Sequence, residues 1–287
     1  MRVNNQDRLH AWMGNNAIIG NLPINKLVLP GSHDSGSTKE RRDQMQLTHE
    51  VTQDVSLIKQ IRGGIRVLDL RVHCCEQFRP GDPRRFQLRH FTSTGVSLEA
   101  DLLEPLLDYF KAADTQKEII ILDFHELHGF TSAIHQEFQA MLIGRLGPRC
   151  LPADVLGKNL VHLWLNHPGK NLVLAYAGPA FHPSFCNAVT QRWSGSNTNT
   201  TATLKTFMDE VAEEWKPNGQ LRAIQCAKYA LPLFVPDDFS NKIDQWFHSE
   251  DENSYIQKFY IINTDWSLRS RIVANCIHAS VVRAMNA

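Results

Sequence analysis

The sequence has 287 residues, 43% of them hydrophobic, and its 30 Lys and Arg residues balance its 30 Asp and Glu residues. This composition suits a globular protein of one large or two small domains, and the lack of net charge argues against a nucleic-acid-binding protein. No stretch approaches the ~18 apolar residues of a membrane span, and residues 1–12 lack the apolar core of a secretory signal. We therefore expect a soluble cytoplasmic protein with reduced cysteines and no transmembrane segment.

Short apolar runs along the chain predict buried β-strands. The runs lie at residues 26–29, 65–72, 118–124, 171–176, 221–226 and 259–263. Because nearly continuous apolar runs are typical of strands covered on both faces, they indicate a parallel sheet.

The segments between these strands predict helices, with apolar residues at helical spacing. They span residues 97–112, 132–146, 203–215 and 267–285. Pro105 predicts a kink in the first helix, or two shorter helices. Residues 73–89 are charged and contain Pro and Gly, so we expect an excursion above the sheet. The alternation of strands and helices implies an α/β barrel or an open doubly wound sheet, in one domain spanning residues 1–287.

Ionisable side chains gather at the ends of the predicted strands, where barrels and open α/β sheets carry their chemistry. His33 follows the first strand. Asp69 and Arg71 are two residues apart in the second strand and therefore lie on one face of it. The later members of this set are His90, Asp123, His125, Glu126 and Asp265. So many groups at one edge favour a catalytic cleft over a solvated rim.

Each of these residues also has a purely structural explanation. His33 could cap a turn, and Asp69 with Arg71 could form an ion pair at a barrel mouth. Asp265 could cap the last helix.

Familiar catalytic motifs are incomplete or missing. The segment 31–38 lacks the lysine of a P-loop, and the histidines of segment 125–128 are three residues apart rather than the four of a zinc-protease helix. The sequence has no G-x-S-x-G nucleophile elbow and no glycine-rich dinucleotide fingerprint after a strand.

Segments 29–36 (LPGSHDSG) and 64–71 (GIRVLDLR), followed by His90, carry a family resemblance. They resemble the catalytic X domain of phosphatidylinositol-specific phospholipases C, nearest to the bacterial enzymes and to small proteins that contain only this domain. The similarity runs from about residue 26 to the end of the chain. It implies an α/β fold, a distorted and incompletely closed TIM barrel.

The resemblance also implies roles for the matching residues. His33 falls on the general base of the family and His90 on its general acid. Arg71 falls on the phosphate-binding arginine of the bacterial enzymes.

Three carboxylates complete the implied catalytic set. Asp34 and Asp69 match the accessory carboxylates of the family. Asp265 matches, by its position after the last strand, the carboxylate that orients the base.

His125 departs from the family pattern, which has a lysine or a calcium-binding glutamate at this strand end. Arg71 likewise replaces an acidic calcium ligand of the eukaryotic enzymes. Since calcium takes oxygen ligands, we expect a site without a metal and without a cofactor. His125, Tyr176 and Trp193 are predicted to contact the lipid headgroup.

These expectations describe an enzyme that cleaves phosphatidylinositol, or a related phospholipid, at a membrane surface and binds no nucleic acid. Contact with the membrane is expected to be peripheral, through apolar side chains at the barrel mouth. The candidates are Phe78, Phe130, residues 233–236, Trp246 and Phe247. Two alternatives stay open: a magnesium-dependent phosphodiesterase of the glycerophosphodiesterase or sphingomyelinase D type, and a non-catalytic barrel that binds inositol lipids.

Overall fold

The computed structural model describes residues 9–40, 50–196, 199–214, 219–230, 235–249, 251 and 253–287. Its strands are β1 Leu29–Ser32, β2 Val67–Cys74, β3 Phe86–His90, β4 Thr92–Ser97, β5 Ile120–His128, β6 Leu172–Tyr176, β7 Phe185–Asn187, β8 Thr190–Arg192, β9 Arg222–Cys226, β10 Tyr229–Ala230, β11 Val235–Pro236 and β12 Ile261–Thr264.

Eight of these strands form one curled parallel sheet in the order β7-β6-β5-β2-β1-β12-β9-β8. The hairpin of β3 and β4 pairs antiparallel with β2. The end strands β7 and β8 follow one another in the sequence, but within the described residues they do not pair with each other, so the barrel is open between them. The predicted distorted, incompletely closed α/β barrel is confirmed.

The α-helices surround this sheet. They are α1 Trp12–Asn15, α2 Leu57–Arg62, α3 Glu104–Tyr109, α4 Ser132–Leu146, α5 Leu160–Asn166, α6 Thr201–Glu214, α7 Ser240–Trp246 and α8 Ile272–Met285. A π-helical turn covers Glu99–Leu103, and 3₁₀ turns cover Ala17–Asn21, Ile24–Lys26, Ala113–Thr115, Gly147–Arg149, Ala153–Val155 and Tyr255–Gln257. No helix in the described ranges has the length and apolar character needed to cross a bilayer.

Alternation along each strand separates the barrel interior from the layer of helices. The interior begins with an apolar layer of buried side chains near the amino ends of the strands: Leu29, Val67, Ile121, Val173, Ala223 and Ile261. The next inward positions, two residues further along four of these strands, are polar: Asp69, Asp123, Gln225 and Asn263. The site is therefore built on an apolar floor and faces the carboxyl ends of the strands.

All of the predicted strands are present, and the first differs most in its boundaries. The run at residues 26–29 predicts a strand that ends before Pro30, but Pro30 and Gly31 both lie inside β1. The carbonyl of Pro30 accepts a hydrogen bond from the backbone of Arg66 at 2.9 Å, which needs no N–H from the proline. Gly31 leaves room for Asn263, whose Oδ1 would lie 1.9 Å from a Cβ at position 31.

The predicted helices are also present, with two informative differences. The helix predicted at 97–112 is divided into the π turn and α3, as Pro105 indicated. The last helix begins at Ile272 rather than at Ser267. The helix predicted at 203–215 corresponds to α6, and residue 215 lies outside the described residues. The predicted boundaries of the excursion at 73–89 are wrong. Its first residues belong to β2, which continues to Cys74, and its last residues belong to β3, which begins at Phe86 and pairs with β2.

Candidate active site

Strands β1 and β12 place a histidine beside a carboxylate at the mouth of the barrel. Ser32 is opposite Thr264 in the parallel register, so the next residues, His33 and Asp265, are also neighbours. His33 Nδ1 lies 2.7 Å from Asp265 Oδ1, and both side chains are buried. Gln53 Nε2 donates to the carbonyls of His33 and Thr264 at 2.9 and 3.0 Å, which fixes the two chain segments to each other.

The protonation of His33 is set by two neighbours of opposite charge. Burial lowers the pKa of His33, but attraction to Asp265 and the hydrogen bond between them outweigh burial and raise the pKa overall. On the far side of the ring, Arg71 Nη2 lies 3.0 Å from His33 Nε2. A guanidinium can only donate, so Nε2 accepts and Nδ1 carries the proton that Asp265 receives. This is the tautomer that a general base requires.

Arg71 and Asp69 project from β2 on the same side, as the sequence predicted. Arg71 Nη1 lies 3.6 Å from Asp34 Oδ2, and Nη2 lies 3.9 Å from Asp69 Oδ2. Asp69 Oδ2 also accepts the backbone N–H of Asp34 at 3.1 Å. Burial would raise the pKa of Asp69, but the charges of Arg71, His125 and His33 lower it. Asp69 is therefore an ionised group that holds the guanidinium toward the centre of the site.

The β3–β4 hairpin brings His90 to the opposite side of the site. His90 Nδ1 lies 2.5 Å from the carbonyl oxygen of Glu50 and 3.1 Å from Asp34 Oδ2. The ring centroids of His33 and His90 are 6.4 Å apart, with the rings at 80° to each other. His33 Nδ1 is thus hydrogen-bonded to the carboxyl group of Asp265, whereas His90 Nδ1 donates to the carbonyl of Glu50 with Asp34 beside it.

His90 is neutral in the free protein and carries its hydrogen on Nδ1, which donates to the carbonyl of Glu50. Burial, and then the charge of Arg71, lower the pKa of His90 to about 3, while burial raises the pKa of Asp34 to about 7. A role of His90 as general acid therefore requires that the imidazole gain a proton once a substrate is bound. A phosphodiester anion beside Arg71 would offset the guanidinium charge and favour protonation of His90 at Nε2.

His125 reaches the site from β5 because of a bulge. The register between β2 and β5 shifts after Leu70 and leaves His125 as an extra residue. A ring nitrogen of His125 and carboxylate oxygens of Asp69 and Asp123 lie within 4.8 Å of one another. Asp123 also accepts Gln191 Nε2 at 2.7 Å. Two carboxylates and an imidazole are suitable ligands for a divalent cation, so these residues could hold one although the sequence predicted none.

Several polar residues of the site received no role from the sequence. Asp123 was noted only as a member of the strand-end set, and Gln225, which donates to Asp69 Oδ2 at 3.3 Å and to Gln191, was not noted. A lone polar residue at an inward position of an apolar strand is the signal that could have identified Asp123 and Gln225. Gln53 lies in a loop and gave no comparable signal.

Tyr176 does not reach this site. Its hydroxyl lies 2.7 Å from His135 Nδ1, and its ring packs against Phe138 and Phe185 in the outer layer. Trp193 follows β8, two residues beyond the inward-facing Gln191, and is 47% exposed at the carboxyl edge of the sheet. A headgroup contact by Trp193 stays a prediction.

The apolar side chains proposed for membrane contact are mostly placed elsewhere. Trp246 and Phe247 are buried in the core, and Phe130 packs against Phe138. Phe78 is half-buried with Arg84 stacked over its ring. Residues 233 and 234 lie outside the described residues.

Backbone strain is concentrated at this site. Within the described residues, the non-glycine residues with positive φ are Asp34 (45°), Phe91 (57°) and Trp266 (48°). Asp34 belongs to the site, and Phe91 and Trp266 directly follow His90 and Asp265. Strained backbone persists where surrounding contacts hold it and is frequent at functional sites. Asp265 is not the cap of the last helix, because α8 begins at Ile272.

The fold of this chain is that of the bacterial phosphatidylinositol-specific phospholipases C. The enzyme from Listeria monocytogenes superposes with a TM-score of 0.66 over 93% of this chain and 98% of its own, at 18% identity. A mutant of the Staphylococcus aureus enzyme superposes with a TM-score of 0.69 over 96% of this chain and 99% of its own, at 13% identity.

The sequence resembles proteins named for the same domain. PI-PLC X domain-containing protein 2 of Mus musculus is 27% identical over 244 residues, which cover 75% of this chain and 68% of the mouse protein. The Homo sapiens protein of the same name is 27% identical over 235 residues, which cover 71% of this chain and 72% of its own length. No family model matches the sequence.

Proposed function

We propose that this chain is a phosphodiesterase that cleaves phosphatidylinositol to diacylglycerol and inositol cyclic phosphate, by acid–base catalysis and without a metal. The observation that carries this proposal is the pair of buried imidazoles, His33 and His90, whose ring centroids lie 6.4 Å apart. That separation suits a single phosphodiester, because each ring nitrogen must come within ~3 Å of the oxygen it serves. We further propose that residues 1–287 act as one catalytic domain in the cytoplasm, in peripheral contact with a membrane.

In this mechanism the substrate supplies its own nucleophile, the inositol hydroxyl next to the phosphate. Arg71 leaves His33 Nε2 and binds the non-bridging phosphate oxygens, for which its planar fork and permanent charge are suited. His33 then accepts the hydroxyl proton as the oxygen attacks phosphorus. Asp265 stabilises the imidazolium that forms, as a carboxylate does for a basic histidine in other hydrolases.

The leaving group receives its proton from the opposite side. Phosphate binding offsets the charge of Arg71, which is one of the two main causes of the low pKa of His90. His90 Nδ1 already donates its hydrogen to the carbonyl of Glu50, so His90 takes up a solvent proton on Nε2 and donates that proton to the departing glycerol oxygen. Each of the two proton transfers is expected to contribute about 10²–10⁴-fold to the rate.

The proposal is tested by turnover of phosphatidylinositol in mixed vesicles, followed by phosphorus NMR of the released headgroup. His33→Ala and His90→Ala are each expected to lower kcat by at least about 10²-fold with unchanged thermal unfolding. His135→Ala is the matched control, because His135 contacts Tyr176 in the outer layer. Wild-type protein that binds these vesicles without cleaving them would support the alternative of a non-catalytic lipid-binding barrel.

A second candidate is a metal-dependent phosphodiesterase on the same barrel. It is favoured by the cluster of Asp69, Asp123 and His125. Such a group would let a cation replace Arg71 as the partner of the phosphate oxygens. Turnover before and after chelation separates the two candidates.

A further inference from the structure

Phe91 differs from the other strained residues in being exposed. Asp34 contacts Arg71 and His90, and Trp266 is buried to 6% exposure between the cations of Lys39 and Arg269. Phe91 has a positive φ of 57° and is 57% exposed as a residue. A left-handed backbone is costly for a residue with a Cβ, and exposure of an aromatic ring adds to that cost.

The position of Phe91 is fixed by the hairpin that carries His90. Phe91 is the only residue between β3 and β4, since His90 pairs directly with Thr92. Arg89 Nη2 donates to the carbonyl of Phe91, and Thr92 Oγ1 donates to Glu50 Oε2 at 2.5 Å. The ring of Phe91 stacks on that of His90 with centroids 4.6 Å apart and an interplanar angle of 28°. An exposed aromatic surface is thus held rigidly against the proposed acid.

We propose that Phe91 is the contact of this site for the glycerol and acyl portion of a phospholipid at a membrane surface. This inference rests on the proposed function, in which His90 donates to the glycerol oxygen. The apolar part of the substrate must therefore leave the pocket on the side of His90, where Phe91 is exposed. An aromatic side chain at such a boundary contacts the acyl chains while its neighbours stay in the headgroup region.

The chemistry of the surface favours a lipid over a protein partner. A single exposed ring offers far less than the ~800 Å² per partner of a stable protein interface. The cation next to it, Arg89, is suited to the negative surface of a membrane that contains an anionic lipid. Covering the ring by lipid would remove the exposed apolar area that the free protein retains.

A fluorescent reporter tests the contact directly. The double variant His33→Ala, Phe91→Trp is mixed with phosphatidylcholine vesicles that contain phosphatidylinositol, and the His33 substitution keeps the lipid intact. The signal of the tryptophan introduced at position 91 is the difference from His33→Ala alone, because the chain has six other tryptophans. We expect emission from position 91 to shift to shorter wavelength and to be quenched by lipids with brominated acyl chains.

The control reporter lies at the other end of the barrel. Leu165 is 74% exposed near the end of α5, which leads into the amino end of β6. In the variant His33→Ala, Leu165→Trp, the emission of the introduced tryptophan should be neither shifted nor quenched. Equal responses of the two reporters, or no response of the reporter at position 91, would overturn the inference.

A glycine substitution separates the contact from folding. Phe91→Gly removes the ring and accepts a positive φ without strain, so the variant should unfold at the same temperature as the wild type or above it. In the His33→Ala background its dissociation constant for these vesicles should rise about tenfold or more. Unchanged vesicle affinity contradicts the inference even where wild-type turnover supports the proposed function. If turnover is absent but the reporter at position 91 inserts into lipid, the proposed function is rejected and the contact is kept.

Discussion

His33 and Asp265 are 232 positions apart in the sequence and share a hydrogen bond of 2.7 Å between two buried side chains. The bond exists because β1 and β12 are neighbouring parallel strands whose register continues one residue beyond the last backbone pair. It selects the tautomer of His33 in which Nε2 accepts a proton.

Loss of this carboxylate should therefore impair the base while leaving substrate affinity largely intact. For Asp265→Asn we expect kcat to fall by about 10²–10⁴-fold with a small change in KM, since the asparagine favours the wrong tautomer. Because Asp265 raises the pKa of His33, the acidic limb of the rate profile should also move to lower pH in the variant. The measurement is kcat as a function of pH. A profile that falls in amplitude without moving would assign Asp265 a structural role only.

Much of this geometry follows from the period of two along a strand. The positions of Asp69 and Arg71 on one face could be predicted, because residues i and i+2 of a strand project together. Tyr176 could not be placed in the same way. Its strand is apolar at every position, so the sequence does not indicate which face is interior, and a change of one residue in register exchanges the faces.

Two other features depend on contacts between distant segments. The pairing of Asp34 with His90 requires the β3–β4 hairpin to fold back on β2, and residues 73–89 gave no strand pattern that predicts it. The inward direction of His125 results from a bulge, which is set by the pairing of β5 with β2 rather than by local sequence.

The opposite pKa shifts of Asp34 and His90 predict a characteristic dependence of stability on pH. Below pH 7 the folded Asp34, with a pKa of about 7, binds a proton before the unfolded chain does, so acidification stabilises the fold. The folded His90, with a pKa of about 3, stays neutral where the unfolded histidine is protonated, so its contribution is lost as pH falls from about 6.5. The two effects oppose each other between about pH 4 and about pH 6.5.

Replacing Asp34 by Asn removes the stabilisation that the folded protein gains when Asp34 is protonated, and leaves the destabilisation that comes from His90. From pH 7 to pH 5 the free energy of unfolding of Asp34→Asn should fall by about 2 kcal/mol more than that of the wild type. Denaturant titrations at the two pH values measure the difference. The double variant Asp34→Asn, His90→Gln should restore the shallow dependence, and parallel curves for the wild type and the single variant would refute the raised pKa of Asp34.

A buried ion pair at the opposite end of the barrel makes a prediction about stability alone. Arg66 and Glu118 are both fully buried, with Arg66 Nη2 2.5 Å from Glu118 Oε2. Glu118 also accepts the backbone N–H groups of Met13 and Gly14 at 3.2 and 2.8 Å, which attaches the first helix to the barrel. Glu118→Ala should cost about 3–5 kcal/mol, because it leaves a buried guanidinium without its partner.

Denaturant unfolding provides the measurement for this pair. The double variant Arg66→Met, Glu118→Leu should be more stable than Glu118→Ala, since it removes the uncompensated charge and keeps apolar volume. A loss for Glu118→Ala within the range of ordinary surface substitutions, about 0.5 kcal/mol, would show that the pair is not needed for the fold.

Metal independence is the prediction that most directly separates the proposed mechanism from its rival. Arg71 already supplies a positive charge 3.9 Å from Asp69, and it contacts the base as well. We therefore expect protein dialysed against EDTA to turn over phosphatidylinositol at the untreated rate, with no stimulation by added Mn²⁺ or Ca²⁺.

Asp123→Asn adds a stricter test. Burial, and then the charge of Asp69, raise the pKa of Asp123 to about 8, so the carboxyl group is largely uncharged at neutral pH and the amide is a close substitute. Near wild-type activity of this variant favours Arg71 as the group that neutralises charge on the phosphate oxygens. A cation held by Asp69, Asp123 and His125 would be established by a different result. In that case chelation would abolish activity, and added Mn²⁺ would restore it in the wild type but not in Asp123→Asn.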